Sequence, residues 1–318
     1  MNESGRESEM GKKEGREAEK PVKIGLVCCS NGLSESFKPA FQEFLSVLKS
    51  AGLEPVYGSC LFAGRKGAAA GTARERAGEL TALYCDPAVR AVFDLSGGDY
   101  ANEILPWIDY GAIEKAPEDK LLFGYSDLTC VLNAVYARTG RRCGLYQLRN
   151  ILRPEGRGQL KDLVSLLRPE NTGSPREAFK ETVLTRESRS LCGLSCRFVQ
   201  GSAMEGTAVG GNIRCFLKLS GTPYFPDLEG KILILEANSG RADRITACLA
   251  QLSQMRAFEK IRGILLGTFS ELEREEGPQA AERLVLSFAG NLPVAVTREI
   301  GHGADARCAL IGGLLRTV

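Results

Sequence analysis

Between Val22 and Gly140, short apolar runs alternate with stretches of helical period. No other feature constrains the fold as much. "VKIGLVCC", "EPVYGSCLF", "VRAVFDLS" and "KLLFGYS" read as buried strands, and turns rich in Gly, Ser or Asp follow them. "FKPAFQEFLSVLKSAG" repeats apolar residues at helical spacing through Phe41, Leu45 and Leu48, and Gly52 closes it. "TARERAGELTALYCDP" is a second helix, with Thr72 as N-cap and Pro87 beyond its end. "YANEILPWIDYGAIEKAP" gives one or two short helices, and "LTCVLNAVYARTG" a longer one stopped at Gly140. Strands alternating with helices bury a parallel sheet, so the spacing predicts a doubly wound α/β domain. Such sheets place ligand sites at the carboxyl ends of their strands. Two turns stand there, Ser96–Asp99 and Gly124–Asp127.

The flanking segments differ in texture. Residues 1–20 carry charges of both signs and no aromatic residue, which predicts a disordered tail without the apolar core of a secretory signal. The α/β domain occupies 21–150. Residues 151–205 are rich in charge, Pro and Gly, with one helical patch, and read as a crossover between domains. Residues 206–318 mix strand, turn and helix signals and predict a second, smaller, mixed α/β domain. No apolar run reaches the length of a membrane span, and the balance of 41 basic against 39 acidic residues gives no broad basic face. Neither a nucleic-acid nor a membrane partner is expected. The eleven cysteines are scattered, odd in number and often inside apolar runs, which fits free thiols in a reducing, cytoplasmic setting. Cys192 and Cys196 would need two further ligands to hold zinc, and the chain has one histidine, so no metal is expected.

Four positions carry candidate chemistry. Ser126 sits where a strand turns sharply into a helix, either as an exposed nucleophile or as a helix cap. Gly97 and Gly98 allow close backbone approach to an anion, or simply make a tight turn. Glu236 ends the apolar strand "KILILE", where a carboxylate either exits to solvent or orients a partner. His302, the sole histidine, lies between glycines as a loop residue or as a base. The order Ser126, Glu236, His302 admits a nucleophile, an orienting acid and a base.

Several separated stretches resemble the LD-carboxypeptidase family of serine peptidases, which also includes microcin C immunity proteins. They are "AGTARERAGELTALYCDPAVRAVFDLSGGDYANEILPWIDY", "LLFGYSDLTCVLNAVYARTG", "GGNIRCFLKLSGTPYFPDLEGKILILE", "IRGILLGTF" and "PVAVTREIGHG". The resemblance implies a flavodoxin-like N-terminal domain, a site between the two domains and a homodimer. It implies Ser126 as nucleophile, His302 as base and Glu236 as its orienting acid, with the Gly98 and Asp127 amides as oxyanion hole and no cofactor. It further implies cleavage of an L–D peptide bond, in most members releasing D-Ala from a muropeptide tetrapeptide during cell-wall recycling. In the microcin branch the bond is an amide of an aminoacyl-nucleotide. A carboxypeptidase must grip a free carboxylate, for which arginine is the natural fork, and Arg149, Arg241 and Arg244 lie near the motifs. The chain departs from the family at "SGGDYA", "GLYQLRN", "CCS" and "ANSGRADRITA". These loops would line a substrate, so reaction class carries over further than substrate. A binding protein that lost turnover is the rival reading. A nucleotide- or flavin-binding protein is a third, without a phosphate motif to support it.

Overall fold

The computed structural model describes residues 20–64, 67–117, 120–168, 179–187 and 190–318. The expected tail, save Lys20, and part of the expected crossover, residues 169–178, lie outside them.

The first half forms a parallel sheet of β1 (Val22–Val27), β2 (Leu53–Tyr57), β3 (Ala91–Asp94), β4 (Leu121–Gly124) and β5 (Cys143–Leu145). Its spatial order, β2-β1-β3-β4-β5, is the flavodoxin-like one. The connecting helices are α1 (Lys38–Ser50), α2 (Ala73–Cys85), α3 (Tyr110–Lys115) and α4 (Thr129–Thr139). With helices on both faces, every residue of β3 and β4 is buried. Thr72 caps α2 as the sequence predicts. Its hydroxyl accepts from the Glu75 N–H at 3.3 Å, and its own N–H donates to Glu75 Oε2 at 2.9 Å.

The second sheet begins inside the segment expected to be crossover. After α5 (Pro154–Leu167) come β6 (Glu181–Thr185), β7 (Gly193–Ser195) and β8 (Arg197–Gln200). Four longer-range strands complete the sheet's centre, β9 (Glu205–Asn212), β10 (Ile232–Ala237), β11 (Gly263–Phe269) and β12 (Val294–Val296). These four run parallel. β13 (Ala309–Ile311) leaves this sheet and pairs antiparallel with β5 of the first, while β14 (Leu314–Thr317) returns between β6 and β9. The second sheet thus runs β7-β6-β14-β9-β10-β11-β12-β8. Its two edge strands, β7 and β8, are separated in sequence by Cys196 alone, so the bent segment joins both edges and the sheet curls back on itself.

Inside the curl Leu184, Leu194, Ala208, Ile234, Leu265, Ala295 and Leu315 are buried, in one cluster with Leu128, Val131 and Val135 of the first half. The two halves therefore share a core. On the outer face, α6 (Ile213–Leu217) and α7 (Ala242–Gln254) pack against β9–β11 through Val209, Leu233, Leu266, Phe216 and Leu249. α4 is keyed to β9 by Asn133. Its amide donates to the Gly210 carbonyl at 2.8 Å and accepts from the Gly210 N–H at 2.9 Å.

Candidate active site

β4 stops at Gly124, and a 3-10 turn, Ser126–Leu128, leads into α4. Ser126 has φ 57, a left-handed conformation that only Arg256 shares among the described non-glycine residues. Such a residue costs about 1–3 kcal/mol and persists only when its surroundings enforce it. They do so here. A Cβ on Gly124 would come within 1.8 Å of the Leu128 side chain, so glycine alone lets the turn close, and Tyr125, Asp127 and Leu128 are buried. The serine is left presented at the end of the strand.

The glycine turn after β3 is tied to the end of β1. The buried Arg76 guanidinium donates to the Cys29 carbonyl at 2.5 Å and the Tyr100 carbonyl at 3.2 Å, and pairs with Glu103 at 2.7 Å. Asn31 donates its N–H to the Gly97 carbonyl at 3.1 Å and accepts from the Asp99 N–H at 3.2 Å. Asp94 accepts from the Cys29 N–H at 2.6 Å and the Ser96 N–H at 2.7 Å. Burial raises the Asp94 pKa, and these bonds oppose the rise.

Glu236 is fully buried near the end of β10, where the register against β11 shifts between Leu235 and Ala237. A bulge of this kind re-aims a side chain. Glu236 Oε1 accepts from Asn212 Nδ2 at 2.9 Å, and Oε2 lies 3.1 Å from His302 Nδ1. The latter contact has hydrogen-bond length but not hydrogen-bond angle, and His302 Nε2 has no partner among the described residues. Asn212 is itself fixed, since its carbonyl oxygen accepts from the Cys215 N–H at 3.3 Å and caps α6. His302 follows β12 in a loop. A Cβ on Gly301 would meet Thr268 Oγ1 at 1.9 Å, so the flanking glycine lets the His302 loop lie against β11. The imidazole stands edge-on to Tyr125 at 5.2 Å and keeps 24% of its side chain exposed. Burial, and then the Glu236 charge, push the Tyr125 phenol well up.

Ser126, His302, Ser96, Gly97, Asn238 and Arg149 are among the residues lining one cavity of about 330 Å³. It opens where the strands of both sheets end. Among the described residues, no acidic side chain lines it. Arg149 faces it with a buried Nε that has no hydrogen-bond partner among the described residues, its guanidinium 5.7 Å from the Phe37 ring, and burial lowers its pKa. Arg241 instead pairs with Glu275 at 2.9 Å, and Arg244 is exposed on α7; neither lines the cavity. Sequence reasoning missed Asn212, whose position before a helix and after a strand was the available signal. It also missed Arg76, whose polar contacts are all remote in sequence. Among the described residues, no group of three or more His, Cys, Asp or Glu side chains could hold a metal, and no helix is long and apolar enough to cross a membrane.

Two family models cover most of the chain, one for each half. Residues 24–146 match the LD-carboxypeptidase N-terminal domain and residues 205–316 the LD-carboxypeptidase C-terminal domain. The chain belongs to the LD-carboxypeptidase family. It is 28% identical over 250 residues to the murein tetrapeptide carboxypeptidase of Pseudomonas aeruginosa, covering 75% of each chain. It is 29% identical over 213 residues to the microcin C7 self-immunity protein MccF of Escherichia coli, covering 62% of this chain and 61% of that one. The solved muramoyltetrapeptide carboxypeptidase from Oxalobacter formigenes superposes with a TM-score of 0.71 at 23% identity, over 92% of this chain and 94% of that one.

Proposed function

We propose that the protein is a serine LD-carboxypeptidase that releases D-Ala from muropeptide tetrapeptides in cytoplasmic cell-wall recycling. One observation carries this reading. Ser126, on its left-handed turn, and His302, backed by the buried Glu236, line the same cavity. His302 Nε2 takes the Ser126 proton as Oγ attacks the carbonyl carbon, and Glu236 holds the imidazole and stabilises its charged form. The Gly98 and Asp127 amides receive the oxyanion. His302 passes the proton to the leaving amine as the C–N bond breaks, and water repeats the sequence on the acyl-enzyme. Arg149, whose Nε has no hydrogen-bond partner among the described residues and which faces this cavity, grips the terminal carboxylate of the substrate.

A second substrate has a specific observation in its favour. The loops that depart from the family pattern, "SGGDYA" and "GLYQLRN", supply Ser96, Gly97, Gln147 and Arg149 to the cavity wall. An aminoacyl-nucleotide amide, the substrate that the resemblance to the microcin branch implies, is therefore the alternative. Incubation with a muropeptide tetrapeptide and with an aminoacyl-nucleotide amide, followed by mass spectrometry, decides between them. D-Ala release that disappears in Ser126→Ala is the expected result. Release undiminished in that variant refutes the assignment. The homodimer implied by the family resemblance is read by sedimentation velocity on the same preparation.

A further inference from the structure

We infer that Lys218 is a positioning residue, contributed by the second half of the chain, that fixes the spacing of the two oxyanion amides. The inference rests on the serine-peptidase reading above.

Lys218 follows α6, one helical turn after Arg214, so both side chains face the same way. That way is toward the first half. Lys218 Nζ donates to the Asp99 carbonyl at 2.8 Å and to Asp127 Oδ1 at 2.5 Å. Arg214 pairs with the Asp99 carboxylate. Asp99 follows Gly98, and Asp127 owns the second amide, so one ammonium holds both loops of the hole within a residue of their donors. The other oxygen of Asp127 accepts from Ser30 Oγ at 2.6 Å and from the Ala101 N–H at 2.9 Å. Ser30 Oγ in turn accepts from the Tyr100 N–H at 3.0 Å. The carboxylate beside the nucleophile is thus fully buried, satisfied on both oxygens, and paired with one cation among the described residues.

This arrangement serves geometry more than stability. A buried ion pair gains little net energy over a well-packed apolar pair, although removing one partner leaves the other charge buried and unpaired. Hydrogen-bond donors stabilise an oxyanion only when set to within about 0.5 Å. Loss of one such donor costs roughly 10²–10³ in turnover. Lys218 moves both donors together rather than deleting one, and the ground-state carbonyl gains little from them.

Lys218→Met should therefore lower kcat for D-Ala release roughly 10- to 100-fold, with KM almost unchanged. The rate of Ser126 labelling by a fluorophosphonate, whose phosphoryl oxygen occupies the same hole, should fall in parallel. Lys218→Arg should recover most of both rates. Melting temperatures are measured alongside. If Lys218→Met does not fold, Lys218→Gln, which keeps a donor without the charge, is read for the same split. An unchanged kcat, or a loss that appears in KM alone, overturns the inference. A wild-type protein that neither cleaves nor is labelled at Ser126 overturns the serine-peptidase reading instead, and the role of Lys218 falls with it.

Discussion

Replacing Glu236 by glutamine removes one charge and almost no volume. Asn212 Nδ2 donates to Oε1, so a glutamine at 236 keeps its carbonyl toward Asn212 and turns its amide toward His302. Two N–H donors would then oppose each other across 3.1 Å. The imidazole escapes by moving its proton to Nε2, and in that tautomer it has no lone pair for the Ser126 proton. The charge term can be worked separately. A carboxylate 3.1 Å from an imidazolium is worth about 5 kcal/mol at an effective dielectric of about 20. That corresponds to just under four decades in rate, and the partial exposure of the ring trims it toward three. Glu236→Gln should thus lower kcat roughly 10³- to 10⁴-fold, while substrate still binds and the melting temperature hardly moves. Steady-state release of D-Ala, with calorimetry on the same sample, reads both. A variant that keeps a tenth of wild-type kcat would show that Glu236 does not orient the base.

Three other outcomes follow from the same geometry. Arg149→Met should raise KM for a free-carboxylate substrate about 10- to 100-fold, the worth of a charge-assisted hydrogen bond, yet leave a C-terminally amidated substrate unaffected; equal effects on both would remove Arg149 from carboxylate recognition. Gly124→Ala should destabilise by about 1–3 kcal/mol through overpacking against Leu128, read as a lower melting temperature with loss of fluorophosphonate labelling; normal labelling would mean that the turn tolerates a methyl. Burial pushes the thiols of Cys28, Cys29 and Cys308 far up and that of Cys60 up to about 11, so at pH 8 iodoacetamide should reach the half-buried Cys85, Cys196 and Cys248 first; peptide mapping that finds Cys28 or Cys29 among the early adducts contradicts this packing.

Four of the first sheet's five parallel strands were legible in the sequence because each is a short apolar run closed by a turn, and the helices between them carry their own caps; β5, three residues long, was not. Thr72 and Gly52 announce helix ends by local chemistry alone. β6, β7 and β8 were not legible. They are three to five residues long and lie among charged residues, and β8 has no fully buried residue, so little in their pattern separates them from a linker. The pairing of β13 with β5 was invisible for a different reason, since a ladder between distant segments leaves no periodic trace. The site divides in the same way. Ser126 and His302 stand out by local context, one on a turn and one alone among glycines. The Asp127 carboxylate does not, because Lys218, which pairs with it, lies far along the chain just after a helix of only five residues. Of the three candidate arginines, spacing could not choose. Facing the cavity with a buried, unpaired nitrogen does.

The antiparallel strand β13 also governs the order in which a growing chain can finish folding. β5 and the Ser126 turn emerge from the ribosome early, but the strand that closes the β5 edge is made only after almost all of the second sheet. Until then the first sheet offers a row of unpaired amides and carbonyls, open to any strand that arrives sooner. The nascent first half is therefore the stage most exposed to mispairing and to holdase chaperones. The first sheet is completed only once its most distant strand is in place.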